Sequence, residues 1–258
     1  MNLLFETQCA CLWELPKNDK SRNGPNVKRI PLLLLPGTLC DERLWAHQLE
    51  HLSDIADPLV MPVGTDASLP VLAEKILAKA PAKFALAGLS FGGILAFEIY
   101  RQAPERVSHL ALLDTNARAD TEAGVQAKHD QLAVVDSEGL EALLRDKLMP
   151  LYFTSASLKN QTLVETIVNM ALDNGSDIFR NQVEAVINRP DSLEDLAEIR
   201  CPTLILCGKQ DQLCPPDRHQ EMADRIPGAA LCILDNCGHM STLEQPEAVT
   251  ASMRQWLG

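Results

Sequence analysis

Six short apolar runs punctuate the chain, at 30–35, 58–63, 83–87, 109–114, 203–207 and 230–234, and longer stretches of mixed polarity separate them. Unbroken apolar runs of this length suit strands buried on both faces. Their alternation with helix-like segments predicts an α/β fold, a mostly parallel sheet with helices on both faces. Helix boundary signals agree: Ser68 stands ahead of a segment at 69–80, Pro104 ends the helix that follows Ser90, and a last helix is expected from Gln245 or Pro246 to Leu257. Between 115 and 190 the strand runs disappear, and segments such as 137–147 and 158–172 have helical character. The expectation is one domain over 1–258 with a helical cap inserted at 116–190, above the carboxyl edge of the sheet where open α/β sheets bind ligands. Residues 13–29 show neither period and carry Pro16, Gly24 and Pro25, so 1–29 is read as a loose N-terminal arm.

Composition narrows the partners. With 46% hydrophobic residues, 258 positions can fill a sizeable core. The 23 Lys+Arg against 35 Asp+Glu give a net charge of −12, which repels phosphate backbones and anionic lipid surfaces, so neither nucleic acid nor membrane is an expected partner. No run reaches the roughly 20 apolar residues of a spanning helix, and Met1 to Leu12 lacks a basic leader region, so the chain is read as cytoplasmic. None of the eight cysteines has paired CxxC spacing, so no metal is expected. They are read as small buried apolar residues, as the apolar runs around Cys207 and Cys232 suggest, and Cys237 as a lining of the site near His239.

The chemistry begins at Gly88-Leu89-Ser90-Phe91-Gly92, which lies between an apolar run and a helical stretch. G-x-S-x-G in that setting makes a sharp strand-to-helix turn that exposes the serine Oγ. A serine alcohol needs a base, and the base needs an orienting acid. His239 follows the last apolar run, in Asn236-Cys237-Gly238-His239-Met240, whereas His47, His51, His109, His129 and His219 read as solvated or capping residues. Asp211, Asp114 and Asp235 each stand at a strand end; Asp211 gives the chain order Ser, Asp, His expected of this sheet type. An oxyanion needs two donors. The Phe91 N–H is one, and the Thr38 N–H after Pro36-Gly37 is the other, with Leu39 the neighbouring alternative.

On Leu32 to Gly37, Gly88 to Gly93, Gly208-Lys209-Gln210-Asp211 and Gly238-His239 with Leu243-Glu244-Gln245-Pro246-Glu247, the chain resembles the α/β-hydrolases, specifically the small cap-bearing serine esterases, over nearly all of its length from Ile30 to Leu257. It departs from them where Pro36-Gly37 replaces the common His-Gly. The resemblance implies acyl transfer from a small-molecule ester to water, with Ser90 as nucleophile, His239 as base and Asp211 as acid, and with no cofactor. A serine at position 90 sets the chain apart from the dehalogenases of the same fold, which use aspartate there. C–C bond hydrolysis, lactonase or lyase chemistry on the same three residues, or a slow-turnover receptor for a small molecule, are the alternatives. Leu39, Met149, Tyr152, Phe153 and Met240 are the expected substrate-binding residues, joined by Leu148 and Leu151 in an apolar pocket.

Overall fold

A computed structural model describes residues 29–258, so the expected arm lies, but for Arg29, outside the described residues. Six strands form one sheet: β1 (Ile30–Leu35), β2 (Ala56–Val60), β3 (Phe84–Leu89), β4 (Val107–Leu113), β5 (Thr203–Gly208) and β6 (Ala230–Leu234), in the order β2-β1-β3-β4-β5-β6. Every pairing is parallel. The helices are α1 (Ala46–His51), α2 (Leu69–Lys79), α3 (Phe91–Gln102), α4 (Glu122–Glu138), α5 (Leu140–Leu143), α6 (Met149–Tyr152), α7 (Gln161–Ile187), α8 (Pro216–Arg225), α9 (Ser241–Glu244) and α10 (Pro246–Leu257).

Apart from Ser108 and His109 of β4 and Thr203 of β5, the central strands carry no polar side chain, because both of their faces are covered. Leu33, Leu35, Phe84, Leu86, Leu110 and Leu112 pack with Leu72 and Ile76 of α2, Leu95 and Ile99 of α3 and Met222 of α8. The alternate residues Leu32, Leu34, Ala85, Ala87, Ala111 and Leu113 face Trp45, Val249, Met253 and Trp256. One strand is displaced from its expected place: β2 occupies Ala56–Val60 rather than 58–63. It is an edge strand, where Pro58 can sit without its missing N–H breaking a ladder, and its outward positions Asp57 and Leu59 are exposed. Apolar runs mark strands buried on both faces and so mark this edge poorly.

Helices α4 to α7 all fall between β4 and β5. A π-helical turn at Leu144–Leu148 leads into α6, and α7 contains a kink at Gly175, whose φ of 82° is in the left-handed region. Among the described residues, no helix is long and apolar enough to cross a membrane.

Candidate active site

Ser90 ends β3 and caps α3 with φ 54° and ψ −113°. Holding a non-glycine residue there costs about 1–3 kcal/mol, and the neighbours are chosen to permit it. A Cβ on Gly88 would stand 2.2 Å from Gly92 O, and one on Gly92 would stand 2.2 Å from Leu35 O, so neither position admits a side chain. The turn is fixed by Ser90 N–H donating to Leu113 O at 2.9 Å, while Ser90 O accepts from Gly93 N at 2.9 Å and from Thr115 Oγ1 at 2.8 Å. The Oγ therefore projects away from the strand toward residues that arrive from other strand ends.

His239 Nε2 lies 2.9 Å from Ser90 Oγ, and His239 Nδ1 lies 2.8 Å from Asp211 Oδ2. Asp211 Oδ1 accepts the N–H groups of Leu213 and Cys214 at 2.8 and 2.9 Å. Both ionisable partners are almost wholly buried, at 3% and 2% exposure. Burial pushes the Asp211 carboxyl up, but the charge and hydrogen bond of His239 and the two N–H donors outweigh it and hold Asp211 below the usual carboxylate range. For His239, burial pulls the imidazole down, and Asp211, then Asp114 and Glu244, more than reverse this. The ring is thus oriented with Nδ1–H toward Asp211 and a basic Nε2 toward Ser90.

The His239 loop is anchored from several sides. Its N–H donates to Tyr152 O at 2.8 Å, and the Tyr152 ring lies nearly parallel to the imidazole with centroids 5.7 Å apart. Glu244 accepts Gly238 N–H at 2.8 Å and Thr154 N–H at 3.0 Å, which joins the loop to the segment after α6.

Of the other aspartates, Asp235 is exposed and paired with Lys209 at 2.7 Å. Asp114 is fully buried, accepts Gly208 N–H at 3.1 Å and bonds Ser241 Oγ. It ties the loop that carries Asp211 to the one that carries His239 without bonding the imidazole. Burial, and next the Asp211 charge, push its pKa up to about 8. His219 corrects the expectation of a solvated ring: it is fully buried, its Nε2 accepts Thr115 N–H at 3.0 Å, and burial lowers its pKa to about 4. Cys237 is also fully buried, in the apolar core rather than on the site wall; Cys214 reaches the wall instead. Asp211, Cys214 and His239 bring metal-ligand atoms within 4.8 Å of one another. The Asp211–His239 bond already occupies two of them, and burial pushes the Cys214 thiol up, away from the thiolate a metal needs.

A cavity of about 380 Å³ opens above Ser90, lined by Thr38, Phe91 and His239 together with residues of α4, α6 and α7. Neither Thr38 N–H nor Phe91 N–H has a hydrogen-bond partner among the described residues. The Leu39 N–H, by contrast, is taken by Gln182 Oε1 at 2.9 Å. Leu148, Leu151 and Tyr152 line the cavity, whereas Leu39, Met149, Phe153 and Met240 do not line it and pack in the apolar core. Local geometry is the reason: 148, 151 and 152 fall on one side, Met149 turns to the other, and Phe153 lies past the end of α6 in extended backbone. Gln182 lines the cavity too; no local sequence signal marks it, because its partner Leu39 is 143 residues away.

A parallel sheet whose inner strand ends in a left-handed serine, with a histidine and an aspartate supplied by two later strand ends, defines an α/β-hydrolase architecture. The chain belongs to the alpha/beta hydrolase family, whose model matches residues 32–252. It is similar to a protein named putative carbamate hydrolase RutD from Agrobacterium fabrum, 24% identical over 88% of this chain and 92% of that one. A 2-hydroxy-6-oxononadienedioate/2-hydroxy-6-oxononatrienedioate hydrolase from Burkholderia vietnamiensis is 27% identical over 67% of this chain and 61% of its own length. Among solved structures, a malate-bound thermophilic esterase from Thermogutta terrifontis superposes with TM-score 0.79 at 29% identity, covering 88% of this chain and 89% of that one. The enol-lactonase from Burkholderia xenovorans LB400 superposes with TM-score 0.80 at 22% identity, over 89% and 92%, and shares the fold.

Proposed function

We infer that this protein is a serine hydrolase that cleaves carboxylic esters of small molecules through an acyl-enzyme. The observation that carries this reading is the unbroken chain Ser90 Oγ, His239 Nε2, His239 Nδ1, Asp211 Oδ2 at 2.9 and 2.8 Å, beside two unpaired backbone N–H groups on the same cavity. Ser90 Oγ attacks the ester carbonyl as His239 takes its proton. The oxyanion is met by Thr38 N–H and Phe91 N–H, donors that cost nothing to reorganise because their backbone is already fixed. His239 then returns the proton to the leaving alcohol. Water, activated by the same imidazole, releases the acid and restores Ser90. Asp211 stays ionised and holds the ring in the tautomer that leaves Nε2 free to accept.

The inserted helices 116–190 act as the cap in this reading, and the reaction runs in the cytoplasm without a cofactor. The relatives named as a putative carbamate hydrolase, an enol-lactonase and a 2-hydroxy-6-oxononadienedioate hydrolase offer other substrate classes for the same attack, and a substrate panel ranks them. The test is hydrolysis of p-nitrophenyl butyrate together with labelling by a fluorophosphonate. Ser90→Ala is expected to abolish both while the fold is kept; a folded Ser90→Ala protein with full activity would overturn the assignment.

A further inference from the structure

The cavity above Ser90 has a second chemical character away from the serine. Gly124, Ala127, Lys128 and Gln131 line it from α4, the spacing of one helix face. Gly124 and Ala127 are small, so the space beside Lys128 stays open. Arg189, which follows α7, lines the same cavity, and Asp120 lies between the two cations. Asp120 Oδ2 is 2.8 Å from Lys128 Nζ and 3.1 Å from Arg189.

The two cations are not equivalent. Arg189 is 7% exposed, and its guanidinium is held by Arg118 O at 2.8 Å and Val186 O at 2.9 Å besides Asp120. It is a fixed charge. Lys128 is 26% exposed, and Asp120 is its one ion-pair partner among the described residues, a charge contact rather than a hydrogen bond, so the ammonium N–H donors remain for a ligand. Asp120 thus aims the ammonium but neutralises only one of the two positive charges. Apart from the His239–Asp211 pair beneath, the charged side chains on this wall sum to +1, in a chain of net charge −12. Such a chain repels anions at long range, so a local positive wall beside the nucleophile selects an anionic group once it is inside.

We propose that Lys128, aimed by Asp120 beside Arg189, forms a carboxylate subsite, so that the substrates are acyl compounds bearing a carboxylate remote from the scissile carbonyl. The proposal rests on the acyl-transfer reading of Ser90. In the turnover it describes, the ester C–O bond breaks and water supplies the hydroxyl of the released acid. The remote carboxylate remains unchanged and bonded to Lys128 Nζ.

The experiment compares p-nitrophenyl hydrogen adipate with p-nitrophenyl hexanoate, which match in chain length and differ in the terminal carboxylate. The quantity read is the ratio of their kcat/KM values. Removing a hydrogen bond to a charged group costs ten- to a hundredfold in order of magnitude, so Lys128→Met is expected to lower the ratio at least about tenfold. Lys128→Arg keeps the charge and is expected to hold the ratio near that of the unaltered protein, and added salt is expected to shrink it. A ratio unmoved in Lys128→Met overturns the subsite. Lys128→Gln serves as a second variant should the methionine protein not fold. Binding is read separately on Ser90→Ala protein: adipate is expected to raise its melting temperature, and Lys128→Met in that background to remove the rise. No rise in the Ser90→Ala protein overturns the subsite. Loss of the acyl-transfer reading would show instead as hydrolysis of the hexanoate ester that does not depend on Ser90.

Discussion

Gln182 Oε1 accepts the N–H of Leu39 at 2.9 Å, and this bond joins the long inserted helix α7 to the loop that carries Thr38. Leu39 has φ 56°, so its backbone is strained, and its carbonyl accepts from Asn174 Nδ2 at 3.3 Å. Gln182 and Asn174 stand on opposite sides of the kink at Gly175. Both polar groups of Leu39 are therefore held by one helix, on the loop that follows Pro36-Gly37.

Loss of this bond is expected to loosen the Thr38 N–H as an oxyanion donor. Direct loss of such a donor costs about a hundred- to a thousandfold. Gln182→Ala acts at one remove and should lower kcat about tenfold with little change in KM, and Gln182→Glu, which keeps the acceptor for Leu39 N–H but loses the Nε2–H donated to Val63 O at 3.1 Å, should recover only part of it. Steady-state kinetics with p-nitrophenyl butyrate, alongside a melting curve, separate this from a general loss of fold. An unchanged kcat in Gln182→Ala would mean that the loop holds its shape unaided.

The rate should rise with pH through an apparent pKa above 6.5, because only neutral His239 accepts the Ser90 proton and the Asp211 charge raises its affinity for that proton. Asp211→Asn removes that charge and the tautomer it enforces. The expected result is a kcat lower by on the order of 10³- to 10⁴-fold, with the remaining activity titrating at lower pH. A kcat/KM profile of both proteins checks the direction.

Asp114 keeps its proton up to about pH 8 in the fold, whereas its ordinary value is 3.8. The folded state thus binds the proton more tightly than the unfolded one. The contribution is fully present below 3.8 and is lost progressively as pH rises toward about 8. Asp114→Asn removes the titration and keeps the acceptor for Gly208 N–H, while Ser241 Oγ, a donor to Asp114 Oδ2, must turn to accept from the amide and the 3.3 Å bond from Ser241 N–H is lost. Its melting temperature should vary less between neutral and alkaline pH than that of the unaltered protein. Parallel slopes in the two melting series would disprove the account.

Gly92→Ala places a methyl 2.2 Å from the carbonyl of Leu35, a backbone atom that cannot rotate away. Overpacking of a core usually costs about 1–3 kcal/mol, and this contact should reach or exceed the top of that range. Thermal or urea unfolding measures it, and a melting curve matching that of the unaltered chain would show that α3 can move off β1.

How far the sequence reaches depends on how local each signal is. The strands β1, β3, β4, β5 and β6 were readable because their buried stretches are almost wholly apolar, and Ser90, Asp211 and His239 because each lies in the loop or turn that follows such a strand. The same logic misplaced β2, whose edge position admits Pro58 and exposed residues. It also grouped Met149 and Phe153 with Tyr152, since only the facing of α6 parts the cavity wall from the core.

The order of strand ends and the glycines of the serine turn belong to the sequence alone, because they follow from backbone sterics and from residues close along the chain. Tertiary structure decided the rest: which aspartate meets His239, that Leu39 N–H is already taken, and that Lys128 and Arg189 share a cavity with Ser90. Each of these depends on chain packing that brings together residues from separate elements. Directional bonds and charge pairs form only once that packing has fixed their distances, so no periodicity along the chain encodes them.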